Sequence, residues 1–319
     1  YYHTLSNTFS WKNSDLYRTK KSLGFDFGIT HKYIKIDERA EKSNFNQIIF
    51  HARISKSIVN KFVIGGEAEY VQGDYNTNDF KISGIITNGF GKNSDKRLTA
   101  RLDQISRQPS WFYSQYYSNN FVWSNDFKKE NIVKLSGNYS GKSLSIGVNY
   151  FLMTNYTYFD TDTLPTQAGK SFSLIQAYIY NDFKFGNFKI SDRLYFQKTS
   201  TDKYLRLPEL SGKIALSYSN AFFDKALYTQ LGIDIQYRSA YSADAYMPAI
   251  RSFYQQDDIE IGDFIYADVY ASIKIKRTRI VVKYRHANQL ISPYDYYDSP
   301  HHPMKDSGIV MAVSWCFHD

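Results

Sequence analysis

Alternation with a period of two runs along most of the chain and limits its fold more than any other feature. In Leu23-Gly-Phe25-Asp-Phe27-Gly-Ile29 every second residue is bulky and apolar, while the residues between are small or polar. Side chains of an extended strand point to opposite faces in turn, so this run is a strand with one greasy face. The pattern returns at Phe62, Ile64, Ala68 and Tyr70 against Gly65, Glu67 and Glu69, and at Leu98, Ala100 and Leu102 against Thr99, Arg101 and Asp103. It recurs in Leu227 to Tyr237 and in Ile265 to Ile275, and it closes the chain at Ile309, Met311, Val313, Trp315 and Phe317. About fifteen such runs occur, many of them near the roughly nine to eleven residues of a tilted membrane-spanning strand.

A soluble sandwich would alternate as well, and two observations separate the readings. Charged residues stand in mid-strand on the face opposite the apolar one, and many runs end in Tyr, Trp or Phe, as aromatic girdles do. Connections also alternate in length. Arg277-Thr278, Ser219 to Lys225, Gly186-Asn187, Ser140 to Lys142, Phe90 to Lys96, Ser55 to Lys61 and Lys12 to Asp15 are short. Between them lie the longer His286 to Lys305, Arg238 to Asp258, Thr199 to Leu207, Met153 to Lys170, Ser106 to Glu130 and His31 to Asn44, with Gln72 to Asp79 only moderate. Short periplasmic turns and long extracellular loops give this asymmetry. The expected fold class is therefore all-β, a transmembrane antiparallel up-and-down β-barrel of about 14–16 or more strands, with residues 1–319 as one domain. Such barrels usually hold an even strand number, so fifteen strands predict at least one further strand before Tyr1. The chain starts with neither Met nor a secretory leader, and a targeting segment is expected to have been removed or to lie upstream.

Composition excludes several alternatives. A mean hydropathy of -0.48, with no apolar run near roughly 18 residues, argues against membrane helices, and 18% aromatic content argues against disorder. A single cysteine, Cys316, precludes an internal disulfide framework. Its alternation with Trp315 and Phe317 predicts an inward thiol beside Ser314 and Ala312. The formal charge of +8 is spread over many strands and turns, not gathered into one aromatic-interleaved patch, so no nucleic-acid partner is expected.

The segments Gln236-Tyr-Arg-Ser-Ala-Tyr241, Tyr246-Met-Pro-Ala-Ile-Arg-Ser-Phe-Tyr254, Ala267-Asp-Val-Tyr-Ala-Ser-Ile-Lys-Ile-Lys276, Arg279-Ile-Val-Val-Lys-Tyr-Arg-His286, Pro300-His-His-Pro-Met304 and Val313-Ser-Trp-Cys-Phe317 resemble the C-terminal half of the Bacteroidetes "putative porin" family. Pro109-Ser-Trp-Phe-Tyr113 fits the same family. More weakly, the segments resemble the last strands of TonB-dependent receptors. The resemblance implies a barrel in the bacterial outer membrane, in contact with its lipid and lipopolysaccharide. It also implies transport, and leaves the solute open.

No catalytic constellation is found, and neither catalysis nor a cofactor or metal is expected. Gly137 to Ser143 falls one residue short of a phosphate-binding loop and reads as a hairpin turn. His301-His302 lie in a polar loop, short of the three or four ligands a metal site needs. The functional signal is the inward face. Assigning lipid to the greasy side turns His51, Arg53, Glu67, Glu69, Arg101, Asp103, Arg193, Asp234, Asp268, Lys274, Lys283 and Arg285 toward the lumen, with Asp26, Lys81, Lys134, Lys189 and Lys213. Cations outnumber anions there, which favours mild anion preference. The competing expectation is that opposite charges pair across strands, for instance Arg53 with Glu67 or Glu69. Trp111, Phe112, Tyr113, Tyr246 and Tyr294 are the candidate extracellular-loop contacts, able to grip a partner or to fold inward over the pore. The leading expectation is a channel, passive or gated, for small hydrophilic solutes. The alternatives are a non-catalytic scaffold or accessory subunit of an outer-membrane complex and the barrel part of a TonB-dependent transporter. Homo-oligomers or other outer-membrane proteins are the expected partners.

Overall fold

The computed structural model describes residues 2–13, 23–37, 42–59, 61–91, 95–291 and 296–317. Fifteen long strands form one sheet in strict chain order, each antiparallel to the next. They are β1 (Tyr2–Lys12), β2 (Leu23–Asp37), β3 (Lys42–Val59), β4 (Phe62–Gly73), β5 (Asp79–Phe90), β6 (Lys96–Arg107), β7 (Glu130–Ser140) and β8 (Leu144–Thr154). There follow β9 (Phe172–Phe185), β10 (Phe188–Thr199), β11 (Leu210–Phe222), β12 (Leu227–Arg238), β13 (Phe264–Ile275), β14 (Thr278–Arg285) and β15 (Gly308–Trp315). This is the up-and-down wall of a barrel. Among the described residues no pairing joins β1 to β15, so the sheet is not closed.

The expected alternation of connection length holds from β6 to β15, whereas ten residues separate β1 from β2 and only four separate β2 from β3. Turns as tight as Gly186-Asn187 and Lys276-Arg277 lie at one end, and the loops of residues 108–129, 155–171, 200–209, 239–263 and 286–307 lie at the other. Gly186 takes a φ of 57° and Lys276 a φ of 50°, the left-handed backbone that such turns need. The long connection expected from His31 to Asn44 is instead mostly strand, because β2 runs to Asp37 and β3 starts at Lys42. Ser14 and Asp15 of the expected turn from Lys12 to Asp15 lie outside the described residues, as does Tyr294.

Burial is inverted relative to a soluble protein. The accessible surface is 20278 Å², against roughly 13,700 Å² for a compact soluble monomer of this mass. Large apolar side chains carry that excess: Leu102 is 51% exposed, Ile82 55% and Leu135 55%. On the opposite face carboxylates such as Asp103 and Asp268 are covered, to 5% and 6% exposure. An apolar band of this extent would drive association in water and is satisfied by hydrocarbon. At the short-turn end Trp11, Phe90, Phe185, Phe188, Phe222 and Trp315 stand exposed on the apolar face, where amphipathic rings mark a lipid-water boundary.

Glycine shapes the inner face. Gly147 faces Tyr178 and Gly232 faces Tyr270 across adjacent strands. A Cβ would sit 2.3 Å from the first ring and 2.4 Å from the second. Each tyrosine thus lies flat along the wall over a bare backbone and leaves the concave side open.

The two faces should respond differently to charge. Leu102→Arg, in the middle of the apolar face, is expected to cost about 2–4 kcal/mol of folding into lipid vesicles. Thr87→Arg, on the inner face, should cost far less. Urea titration of vesicle-folded protein measures both.

Candidate functional site

The pairing register places all the expected lumen charges on one face, and two groups of them are brought together. Across β2 to β6 the row Asp26, Arg53, Glu67, Ser83 and Asp103 consists of consecutive register partners. Arg53 Nε lies 3.0 Å from Glu67 Oε1, and its Nη1 lies 3.9 Å from Asp26 Oδ2. His51 Nε2 is 3.7 Å from the same carboxylate. Arg101 is the hub. Its Nη2 reaches Glu67 Oε2 at 2.9 Å and its Nε reaches Asp103 Oδ1 at 2.8 Å. Ser83 donates to Asp103 at 2.6 Å. Arg53 with Glu67 is the cross-strand pair anticipated above, now part of a longer ladder. One guanidinium serving two carboxylates uses the fork geometry that lysine lacks.

The second group lies on β11 to β14. Lys283 Nζ sits 3.1 Å from Asp268 Oδ2 and 3.3 Å from Asp234 Oδ2, and Lys213 is 3.2 Å from Asp234. The other oxygen of Asp268 accepts the backbone N–H of His286 at 3.0 Å. His286 is wholly buried. Its Nδ1 meets the Lys305 carbonyl at 2.9 Å and its Nε2 meets the Tyr296 hydroxyl. It ties the loop of residues 286–307 to the wall. Sequence reasoning passed over it because one histidine at a strand end carries no spacing signal.

The remaining lumen candidates stand apart. Glu69, Lys81, Lys134, Arg193, Lys274 and Arg285 form no ion pair among the described residues, and Lys134 lies over the Phe151 ring, 5.1 Å from its centre. Lys189 is 3.0 Å from Asp182.

Over the long-loop end the connections fold inward. Met153, Phe172 and Leu174 belong to the inner face and pack with Tyr156, Tyr204 and Leu205 from two loops. A second cluster joins Trp123, Phe159 and Ile250 from three different loops, with Phe112, Tyr113 and Tyr116 against it. Tyr116 stacks on Trp123 at 4.7 Å, and Tyr113 lies 5.0 Å from Phe159. Phe112 and Tyr113 thus spend their ring faces inside the cap. Trp111 is wedged between Phe45 and Tyr75 at 4.7 and 5.0 Å, while Tyr246 is more exposed, against Phe253.

Burial in this cap pushes Tyr156 up to about 12 and raises the Asp244 carboxyl above its ordinary range, since low polarity penalises the charged form. One oxygen of Asp244 is buried without a hydrogen-bond partner.

Comparison with known proteins agrees with this architecture. The model of the family described as "Putative porin" matches residues 1–319, and the chain belongs to that family. It lies in the bacterial outer membrane. No curated protein matches it. Among solved structures it is similar to the copper transporter OprC (TM-score 0.71, 10% identity, covering 98% of this chain and 56% of that one). It is also similar to the siderophore receptor PirA from Pseudomonas aeruginosa (TM-score 0.67, 10% identity, 98% and 55%). A third is the FrpB iron transporter from Neisseria meningitidis (TM-score 0.63, 12% identity, 98% and 56%). The chain spans just over half the length of these proteins, and identities this low show the fold alone.

Two outcomes test the site. Arg101→Gln removes the only ion-pair partner of Asp103 among the described residues and leaves Glu67 with Arg53 alone, and should lower stability by about 2 kcal/mol or more, read as an earlier urea midpoint in micelles. For Asp244 the folded pKa is raised, so the folded cap binds more protons and loses stability as pH climbs from the ordinary carboxylate value through the raised one. The ratio of loop proteolysis in wild type to that in Asp244→Asn should therefore rise with pH across that window.

Proposed function

We propose that the chain forms the wall of a porin-like channel for small hydrophilic solutes, with its inward loop cap restricting the path and with a mild preference for anions. The observation that carries this reading is the concave face. Its mid-strand positions are mostly polar, its carboxylates are largely committed to ion pairs, and Lys81, Lys134, Arg193, Lys274 and Arg285 form none among the described residues. A low-dielectric wall focuses the field of such uncompensated cations and enriches counter-ions in the lumen. Lipid and lipopolysaccharide are the partners inferred for the outer band. No step of this reading requires catalysis.

A second reading, the barrel of a receptor-type transporter, is favoured by the superposition of 98% of the chain on OprC. A channel conducts without an energy source, whereas such a transporter does not.

Planar-bilayer recording in a KCl gradient should give steady conductance with a reversal potential on the chloride side. A potassium-side potential would refute anion preference. Absence of both conductance and liposome swelling would refute the channel and leave the transporter reading.

A further inference from the structure

A cavity of about 660 Å³ opens on the inner face between the loop-side ends of β10 to β14 and the returning loop before β15. Arg193 and Arg285 both line it, from strands four places apart in the sheet. Neither guanidinium makes an ion pair or hydrogen bond among the described residues, and the Nε of Arg285 is buried with no acceptor.

That is unlike the rest of this wall. Arg53 and Arg101 are compensated by Asp26, Glu67 and Asp103. Below the cavity, Asp234 and Asp268 are already taken by Lys213 and Lys283. Arg238, also at the cavity, donates to the carbonyl of Asp298 at 2.6 Å and lies 3.8 Å from its carboxylate. What is left is Arg193, Arg285 and the Lys305 side chain against Asp306. A buried guanidinium donor without an acceptor is costly, and a lumen supplies mobile anions to meet it.

The remaining wall is aromatic. Phe264 stacks on Tyr296 with centres 3.9 Å apart, and Tyr266 stacks on His286 at 5.1 Å. Both are fixed by contacts with the tethered loop; the Arg238 guanidinium lies over the Phe264 ring, 5.7 Å from its centre, and Tyr266 lines the cavity beside Arg285. We infer that this cavity binds a small oxyanionic sugar, its phosphate or carboxylate met by Arg193 and Arg285 and its ring set against Tyr266. Guanidinium forks match planar and tetrahedral oxyanions, and a cavity of this size holds a ligand of one or two sugar rings. The inference deepens the channel reading and rests on its water-filled inner face, yet it concerns binding and not conduction.

Calorimetric titration of the full chain in detergent micelles with glucose 6-phosphate should show saturable binding. Arg193→Gln and Arg285→Gln should each weaken it tenfold or more, and Arg279→Gln, on the inner face at the opposite end, should leave it unchanged. Neither cavity arginine makes a side-chain ion pair or hydrogen bond among the described residues, and Arg193→Lys gives a second variant that keeps the charge and should retain part of the affinity. Glucuronate should bind, inorganic phosphate should bind more weakly than glucose 6-phosphate, and glucose should not bind. Equal affinity for glucose and glucose 6-phosphate would overturn the inference, as would binding indifferent to both glutamine variants or no saturation at millimolar ligand. Conductance that persists while binding is absent would sink the site and spare the channel.

Discussion

A wall that meets hydrocarbon cannot leave backbone N–H and C=O groups to solvent, because none is present. Each must be paired inside the protein, and a continuous antiparallel sheet does this with its neighbours. Everything else in the molecule follows from that constraint. Once strands run side by side across the bilayer, side chains have two destinations, lipid or lumen, and alternate residues are committed to each. β1 and β15 are where the wall leaves backbone groups unpaired among the described residues.

The same division explains why charge is affordable on the inner face and how it is arranged. A carboxylate such as Asp103 is nearly covered, and Arg101 and Ser83 supply it donors at 2.8 and 2.6 Å. Removing one member of such a network strands the others, which is why ladders of this kind hold a wall in register more than they add net stability. Along β11 to β14 the network has a second use. Asp268 divides its oxygens between Lys283 and the backbone of His286, so the wall's charge pairing also anchors the loop that covers it.

Strand positions and facing were legible in the sequence because lipid demands an apolar residue at every second place, and nothing else in the chain produces that rhythm for so long. Where lipid ends, the rhythm weakens. The arms of β2 and β3 beyond Thr30 carry Lys32, Lys35 and Asn44 and looked like loop, yet the hairpin continues to the Asp37–Lys42 pair, since backbone pairing does not need an apolar face in water. Arg53 beside Glu67 could be anticipated from adjacent strands. Arg101 bridging Glu67 and Asp103 could not, because it depends on three strands holding register through Ser83. The cap was illegible for a different reason: Trp123, Phe159 and Ile250 come from three loops with no common period, and only the closeness of strand ends in space unites them.

The cap also bears on what the lumen can do. Four long loops exchange contacts: Tyr116 donates to the Ala249 carbonyl at 3.1 Å, Gln255 N–H to that of Phe159 at 3.0 Å, and Arg206 to that of Gln256 at 2.7 Å. Their apolar residues rest on inner-face side chains such as Leu174 and Met153, so the lid is part of the wall's own packing and not a separate domain laid over it. A lid built this way is held by many modest contacts spread over several loops. It can yield locally without unfolding the sheet, since loop openings draw on far less free energy than strand separation. Asp244, with a buried oxygen lacking a donor, is a weak point inside that lid. The fold thus sets its charge ladders in the strands, while the loop end holds a buried carboxylate oxygen of Asp244 with no donor.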